Sequence, residues 1–304
     1  MVGIACTTLA YALFTGHDTL IKLLTETITV WQIMFFRSLT ICIGTAIMGR
    51  GALLRRCIAT KAKRQLVLRG FLILGAWLCY YNAAKSLQLA ELTTIYFATP
   101  VLVTLLAVPI LNERISNGRW IPVAVGFVGV IVASGLTSFT LSYAIGLAFC
   151  AAVLWSWATI LVRRLARSEP TLVQMMYSNL FFVVVCGLWM LVAPSLQVSA
   201  TAMGVDPALL AGWHTPSQSE LIRLIGVGVV GGLAQFCMFE GLRNAPASVL
   251  APFQYSSLVW AFLLGFLVWG DWPRDEVFVG AAIILASGAL AIWQQRKTHG
   301  PAAA

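Results

Sequence analysis

The chain has 304 residues, 60% of them hydrophobic and only 10% charged, with a formal net charge of +9. Soluble domains carry about 25% charged residues, and no core of this size could hide so much apolar surface, which excludes a soluble globular protein and leaves a polytopic membrane protein. The apolar runs are continuous rather than alternating with a period of two, so the predicted fold is all-α, each helix needing roughly 20 residues to cross the hydrocarbon.

Ten spans are predicted in chain order. The first, about 2–24, begins without a charged leader or a small-residue cleavage site and is read as a retained helix, not a removed signal. It carries His17 and Asp18 toward its end, and an ionisable residue at that depth is a functional expectation. His17 could hydrogen-bond a solute or take up a proton. Asp18 could pair with Lys22 at i, i+4 or with Arg37 in span two, about 31–49. A long basic loop is predicted over about 50–65. Span three (66–84) offers Trp77, Tyr80, Tyr81 and Asn82; span four (90–111) offers Tyr96, Phe97 and Thr99, with Pro100 and Pro109 to loosen it. Span five (119–136) ends in Val130-Ile131-Val132-Ala133-Ser134-Gly135.

Span six (142–163) contributes Trp155 and Trp157, and span seven (171–193) leads into a second long loop at about 194–220. Span eight (221–242) carries Gln235 and four glycines (Gly226, Gly228, Gly231, Gly232) that permit close helix approach. Glu240 and Arg243 are expected to pair near its end. Span nine (247–269) carries Gln254, Tyr255 and Ser257 beside Pro252. Span ten (275–293) contains Ile283-Ile284-Leu285-Ala286-Ser287-Gly288, which echoes the end of span five.

That echo implies two five-span halves, 1–138 and 139–304. An odd span count forces the second copy to enter the bilayer from the opposite side, the inverted repeat of many alternating-access carriers. Charge agrees. With the N-terminus cytoplasmic, fifteen Lys and Arg fall on the inner side, four on the outer side, and Arg37 within a span. This is a positive-inside pattern with both termini inside, and it accounts for the net charge without nucleic acid. At an offset of 158 residues Glu113 matches Asp271, Lys85 matches Arg243, Trp77 matches Gln235, and Tyr96, Phe97 and Thr99 match Gln254, Tyr255 and Ser257.

Ala90-Glu91-Leu92-Thr93-Thr94-Ile95, then Ala98-Thr99-Pro100-Val101 and Asn112-Glu113-Arg114, resemble the drug/metabolite transporter superfamily, in particular its EamA-type ten-helix members. In the second half Asn244-Ala245-Pro246-Ala247-Ser248 and Gly270-Asp271 carry the likeness. Here Asp271-Trp272-Pro273 replaces the usual Gly-Glu-Arg closure. Within the superfamily the chain is most similar to bacterial YddG-type exporters. The resemblance implies a multi-pass protein of the bacterial inner membrane that exports amino acids, aromatic ones among them, or related metabolites.

The expected substrate path is drawn from mid-span groups: His17, Trp77, Tyr80, Tyr81, Tyr96, Phe97, Thr99, Trp155, Trp157, Gln235, Gln254 and Tyr255. Trp and Tyr with a few amides and hydroxyls suit a small amphipathic solute. The alternative is a multidrug pump for cationic compounds, which would need a membrane-embedded acid; Asp18 is the candidate and has basic neighbours. There is no GxSxG, HExxH or GxxxxGK[ST] motif, so neither an enzyme nor an ATP-driven machine is expected. The seven cysteines lie singly without metal-ligand spacing. No cofactor, metal, nucleic acid or obligatory protein partner is expected; the partners are the solute and the bilayer.

Overall fold

The computed structural model describes residues 2–24, 27–84, 95–111, 120–134, 143–166, 168–201, 213, 215–270 and 275–298. All regular structure among them is helical: α1 (Val2–Leu24), α2 (Val30–Ala59), α3 (Lys63–Ala84), α4 (Thr99–Leu111), α5 (Trp120–Ser134), α6 (Tyr143–Leu165), α7 (Thr171–Thr201) and α8 (Gln218–Asn244). Span nine then runs in three pieces: a helical turn Ala247–Leu250, a 3-10 stretch Ala251–Tyr255, and α9 (Ser256–Trp269). The last helix is α10 (Asp275–Thr298). Among the described residues, five segments are long and apolar enough to cross a membrane: Val30–Ala59, Tyr143–Leu165, Thr171–Val192, Gln218–Asn244 and Ala247–Val268. Thr99–Leu111, Trp120–Val132 and Phe278–Leu290 are shorter apolar helices.

Local chemistry sets several boundaries. The Thr29 hydroxyl accepts from the Gln32 backbone N–H at 3.4 Å and caps the start of α2. Gly270 ends α9 in the left-handed conformation (φ 70°), where a glycine carries no Cβ penalty, and its N–H donates to the Phe266 carbonyl at 2.9 Å. In α9's preamble, Pro252 removes a backbone donor and the chain tightens into 3-10 geometry.

The basic loop expected over 50–65 is corrected. The chain stays helical to Ala59 and restarts at Lys63. Within α2 the helix is kinked at Arg50, whose φ of 50° and ψ of −160° redirect it. After the kink, Leu53 is buried while Arg55 and Arg56 are exposed. Mean hydropathy reads such a two-faced segment as loop, but its buried Leu53 gives it a face to pack as helix. The loop expected at 194–220 also begins later: α7 extends to Thr201. Its acidic and proline-rich centre lies outside the described residues, as do Lys85, Glu113, Gly135 and Asp271.

The helices group into two compact units, each drawing on both halves of the sequence. One contains residues 1–12, 71–168 and 237–304, the other 13–70 and 169–236. In the first, α5 packs along α10 and α4 along α6. Gly129 lets α10 approach, since a Cβ there would stand 2.8 Å from Ile284 Cγ1. In the second, α2 packs along α7. The glycines of α8 sit against α2 there: a Cβ at Gly228 would strike Thr40, and one at Gly232 would press on Ile41 at 3.2 Å. Gly226, by contrast, faces open space. Leu24, Ile28, Ile33, Leu224 and Val227 form one apolar cluster of that unit's core. Large apolar residues such as Ile47, Phe71, Leu188, Val229 and Leu267 remain exposed, as a lipid-facing surface requires.

Candidate functional site

The first unit contains a cleft built on the interrupted ninth span. Thr7 and Tyr11, one turn apart on α1, line it together with Thr159 of α6, Met238 of α8 and Gln254 at the end of the 3-10 stretch. Val103 of α4 adds an apolar wall. Its empty space, open mouth included, is about 280 Å³. The Thr7 hydroxyl is buried and has no hydrogen-bond partner among the described residues. A buried hydroxyl left unpaired costs about 1–3 kcal/mol, so a ligand or water that met it would bind with that advantage. Thr159 bonds back to the Trp155 carbonyl at 3.0 Å. The lining is thus polar at four points, apolar elsewhere, and without a formal charge.

The backbone is interrupted at matching places. Span four loses helical geometry at Phe97 and Ala98 and resumes at Thr99; span nine leaves its 3-10 stretch at Tyr255 and resumes at Ser256. Non-helical backbone at membrane depth is tolerated where it is buried in protein or lines a cavity. The Tyr96 carbonyl accepts from the Thr99 hydroxyl, and Ser156 of α6 reaches both the Ala152 carbonyl (2.6 Å) and that of Thr99 (3.4 Å).

Three of the expected aromatics form a row in this unit. The rings of Tyr80 and Tyr96 meet edge-on at 5.3 Å, and Tyr96 stands 6.3 Å from Trp155. Trp77 is half-buried on α3. Phe97 and Tyr255 pair with each other at 6.0 Å instead of lining the cleft. Tyr255 is fully buried in a cluster with Val130 and Ile284, its ring filling the notch left by Gly126. Trp157 lies on the opposite face of α6 and is 44% exposed. The Tyr81 side chain lies outside the described residues.

The remaining two expected residues belong to the second unit. Gln235 accepts from the Asn179 amide at 2.8 Å, joining α8 to α7, and Asn179 also donates to the Met175 carbonyl. His17 is buried and held from both sides: Asp18 Oδ1 stands 2.9 Å from Nδ1, and Arg37 Nε donates to Nε2 at 2.8 Å. Since a guanidinium can only donate, Nε2 is the acceptor and Nδ1 carries the hydrogen given to Asp18. Asp18 therefore engages His17; the Lys22 side chain lies outside the described residues. Glu240 and Arg243 stand 3.9 Å apart at the end of α8, and Arg163 donates to the Leu242 and Arg243 carbonyls, capping that helix.

Thr7, Tyr11, Thr159, Met238 and Asn179 were not singled out from the sequence. The Thr7/Tyr11 spacing of four on an apolar helix was the available signal; Asn179 had none, because its partner lies 56 positions away. Among the described residues no group of His, Cys, Asp and Glu could hold a metal ion.

The EamA-like transporter family matches this chain twice, over residues 1–135 and 142–293. The S-adenosylmethionine uptake transporter of Rickettsia prowazekii is 25% identical, covering 93% of this chain and 89% of its own length. The riboflavin transporter of Vibrio cholerae is 25% identical over 81% of this chain and 77% of its own. The pseudopaline exporter of Pseudomonas aeruginosa is 24% identical over 97% of each. A solved crystal structure at 20% identity superposes with a TM-score of 0.75, covering 98% of this chain and 99% of that one, which establishes a shared fold.

Proposed function

The chain belongs to the EamA-like transporter family, and from that premise we propose that it moves amino acids or related small metabolites across the bacterial inner membrane by alternating access, as an exporter. The observation that carries this reading is the uncharged, hydroxyl- and amide-bearing cleft at Gln254, set at an interruption of span nine that span four repeats. Paired interruptions in corresponding spans are the usual pointer to a carrier's binding site. A site of this kind binds the polar groups of a small solute through hydrogen bonds while its apolar walls take the side chain. The row of Tyr80, Tyr96 and Trp155 in the same unit supports a preference for solutes with a flat or bulky apolar part.

Two inverted five-helix repeats, 1–138 and 139–304, with both termini cytoplasmic, complete the proposal. The doubled family match supports the division, and the charge distribution supports the orientation. So does the pairing of equivalents: the second helix of one half packs on the second of the other (α2 on α7), and the fifth on the fifth (α5 on α10). A two-fold axis between halves brings equivalent helices together in this way.

Relatives named for S-adenosylmethionine, riboflavin and pseudopaline support small organic metabolites as the class, and they include both uptake and export. Asp18, the acid a cation pump would need, is already engaged by His17, which disfavours the multidrug alternative. The test is a panel of radiolabelled amino acids and cationic dyes in proteoliposomes, in both orientations and with and without a pH gradient. Flux of an amino acid that falls in Gln254→Ala supports the reading. Movement of the dyes with no amino acid moved overturns it.

A further inference from the structure

We propose that His17 is a proton-binding site at which the proton and the Arg37 guanidinium compete for one ring nitrogen. Nε2 of His17 has a single lone pair, and Arg37 Nε–H occupies it at 2.8 Å. A proton arriving from water takes that lone pair, forms a new N–H bond, and breaks the contact with Arg37; no bond within either side chain is broken. The new positive charge is met by Asp18, whose carboxylate already accepts from Nδ1 at 2.9 Å. Asp18 is 75% exposed while the ring is 5% exposed, so the acid lies at the accessible side of the pair and the arginine at the buried side.

The surroundings leave few other charges to confuse the exchange. On α1 the ring faces Asp18 and the edge of Phe14, 6.4 Å away between centroids. From α2 comes Arg37, and from α7 the thiol of Cys186 lies close enough to interact with Arg37. The α8 element presents Gly231, whose missing Cβ would stand 2.8 Å from His17 Cδ2 and 3.0 Å from Arg37 Nε. That glycine supplies the room in which ring and guanidinium meet, and it adds no titratable group. Histidine changes charge between roughly pH 5 and 8 unless its surroundings intervene, so the pair is a two-position element: guanidinium on Nε2, or proton on Nε2 with the guanidinium released. In a carrier such an element is where a proton gradient acts. That consequence rests on the transport reading, while the site itself does not.

The test needs no substrate. The full chain, with His214 and His299 replaced by Gln so that His17 is the single histidine, is labelled with 15N and followed by NMR in lipid nanodiscs from about pH 8 to pH 5. The expected result is an unprotonated Nε2 at high pH that is lost as the imidazolium forms, with the Arg37 Nε–H signal moving at the same midpoint. An Nε2 that stays unprotonated throughout overturns the proposal, and so does protonation that leaves the Arg37 signal unchanged. In His17→Gln, which can accept from Arg37 but cannot titrate, the Arg37 signal should no longer respond over this range; persistence of the same midpoint also overturns it. If that variant fails to fold, the titration of the His17 ring decides alone. Failure of amino-acid flux in the proteoliposome panel would leave these signals untouched, so the two readings fail separately.

Discussion

The two units differ in where the polar bonds between their helices end. In the unit of residues 13–70 and 169–236, buried polar groups close on one another across helices: Arg37 on His17, Arg69 on Ser178, Thr60 on Glu169, Asn179 on Gln235. In the other unit, Thr99, Thr104, Ser156 and Thr159 bond to backbone carbonyls of their own span, the bonds across helices end on backbone carbonyls rather than side chains, as from Ser287 to Pro122 and Arg163 to Leu242, and Gln254 and Thr7 open on the cleft. Mutual side-chain pairing fixes helices against each other, because a broken pair leaves a desolvated group behind. Bonding to a helix's own backbone fixes nothing across helices and leaves a surface able to exchange partners with a solute. One unit is thus braced and the other is receptive.

The sharpest way to break that contrast is to crowd the receptive unit where it is tightly packed. Gly126→Leu drives a branched side chain into the Tyr255 ring and the Ser287 hydroxyl. Overpacking of this kind costs about 3 kcal/mol, which should lower the melting temperature of the purified protein more than any other change named here. A small loss would mean that α5 and α10 are free to part. Next, Asn179→Ala strands the Gln235 oxygen and should cost about 2 kcal/mol in stability. Its effect on flux should follow protein yield, which a comparison of flux per folded molecule will read.

Gln254→Ala sharpens the comparison from the other side. Removing one hydrogen bond to a solute is worth about 1.4 kcal/mol, or tenfold in transport efficiency, with little change in melting temperature. Equal losses of stability and flux would mean that Gln254 braces rather than receives. The smallest effect is a gain. Arg50→Gly relieves a non-glycine residue held at φ 50° and should add about 1 kcal/mol of stability, measured by thermal unfolding.

Most of the fold is legible because the bilayer selects on run length alone. Twenty apolar residues must be a helix, so helix existence follows, although α2 and α7 run on to Ala59 and Thr201, well past the apolar runs that predict them. Arg50 is not legible, since nothing in Gly49-Arg50-Gly51 says which residue takes the unusual φ, and the helix beyond it has a local charge that imitates a loop. The site is legible in part. An amide deep in a span needs a partner, which made Gln235 and Gln254 visible, but only tertiary packing decides that one finds Asn179 and the other a cleft. Tyr255 matches Phe97 by offset, yet its burial depends on a glycine on α5 more than a hundred residues earlier. Hydroxyls such as Thr7 can always satisfy themselves on their own helix, so the spacing to Tyr11 marks a shared face but does not say that the Thr7 hydroxyl is left unpaired.

The five-residue 3-10 stretch before α9 also stores length. Residues in that geometry rise about 2.0 Å each, against about 1.5 Å in an α-helix. Rewinding Ala251–Tyr255 into α geometry would shorten the strut by about 2.5 Å and turn everything beyond it by about a quarter of a revolution. Gln254 and Tyr255 ride on that segment, one facing the cleft and the other the seat at Gly126. A winding change of one short stretch therefore both draws in the end of the helix and swings its two polar side chains. It works like a screw thread whose pitch can be changed, and it needs no hinge.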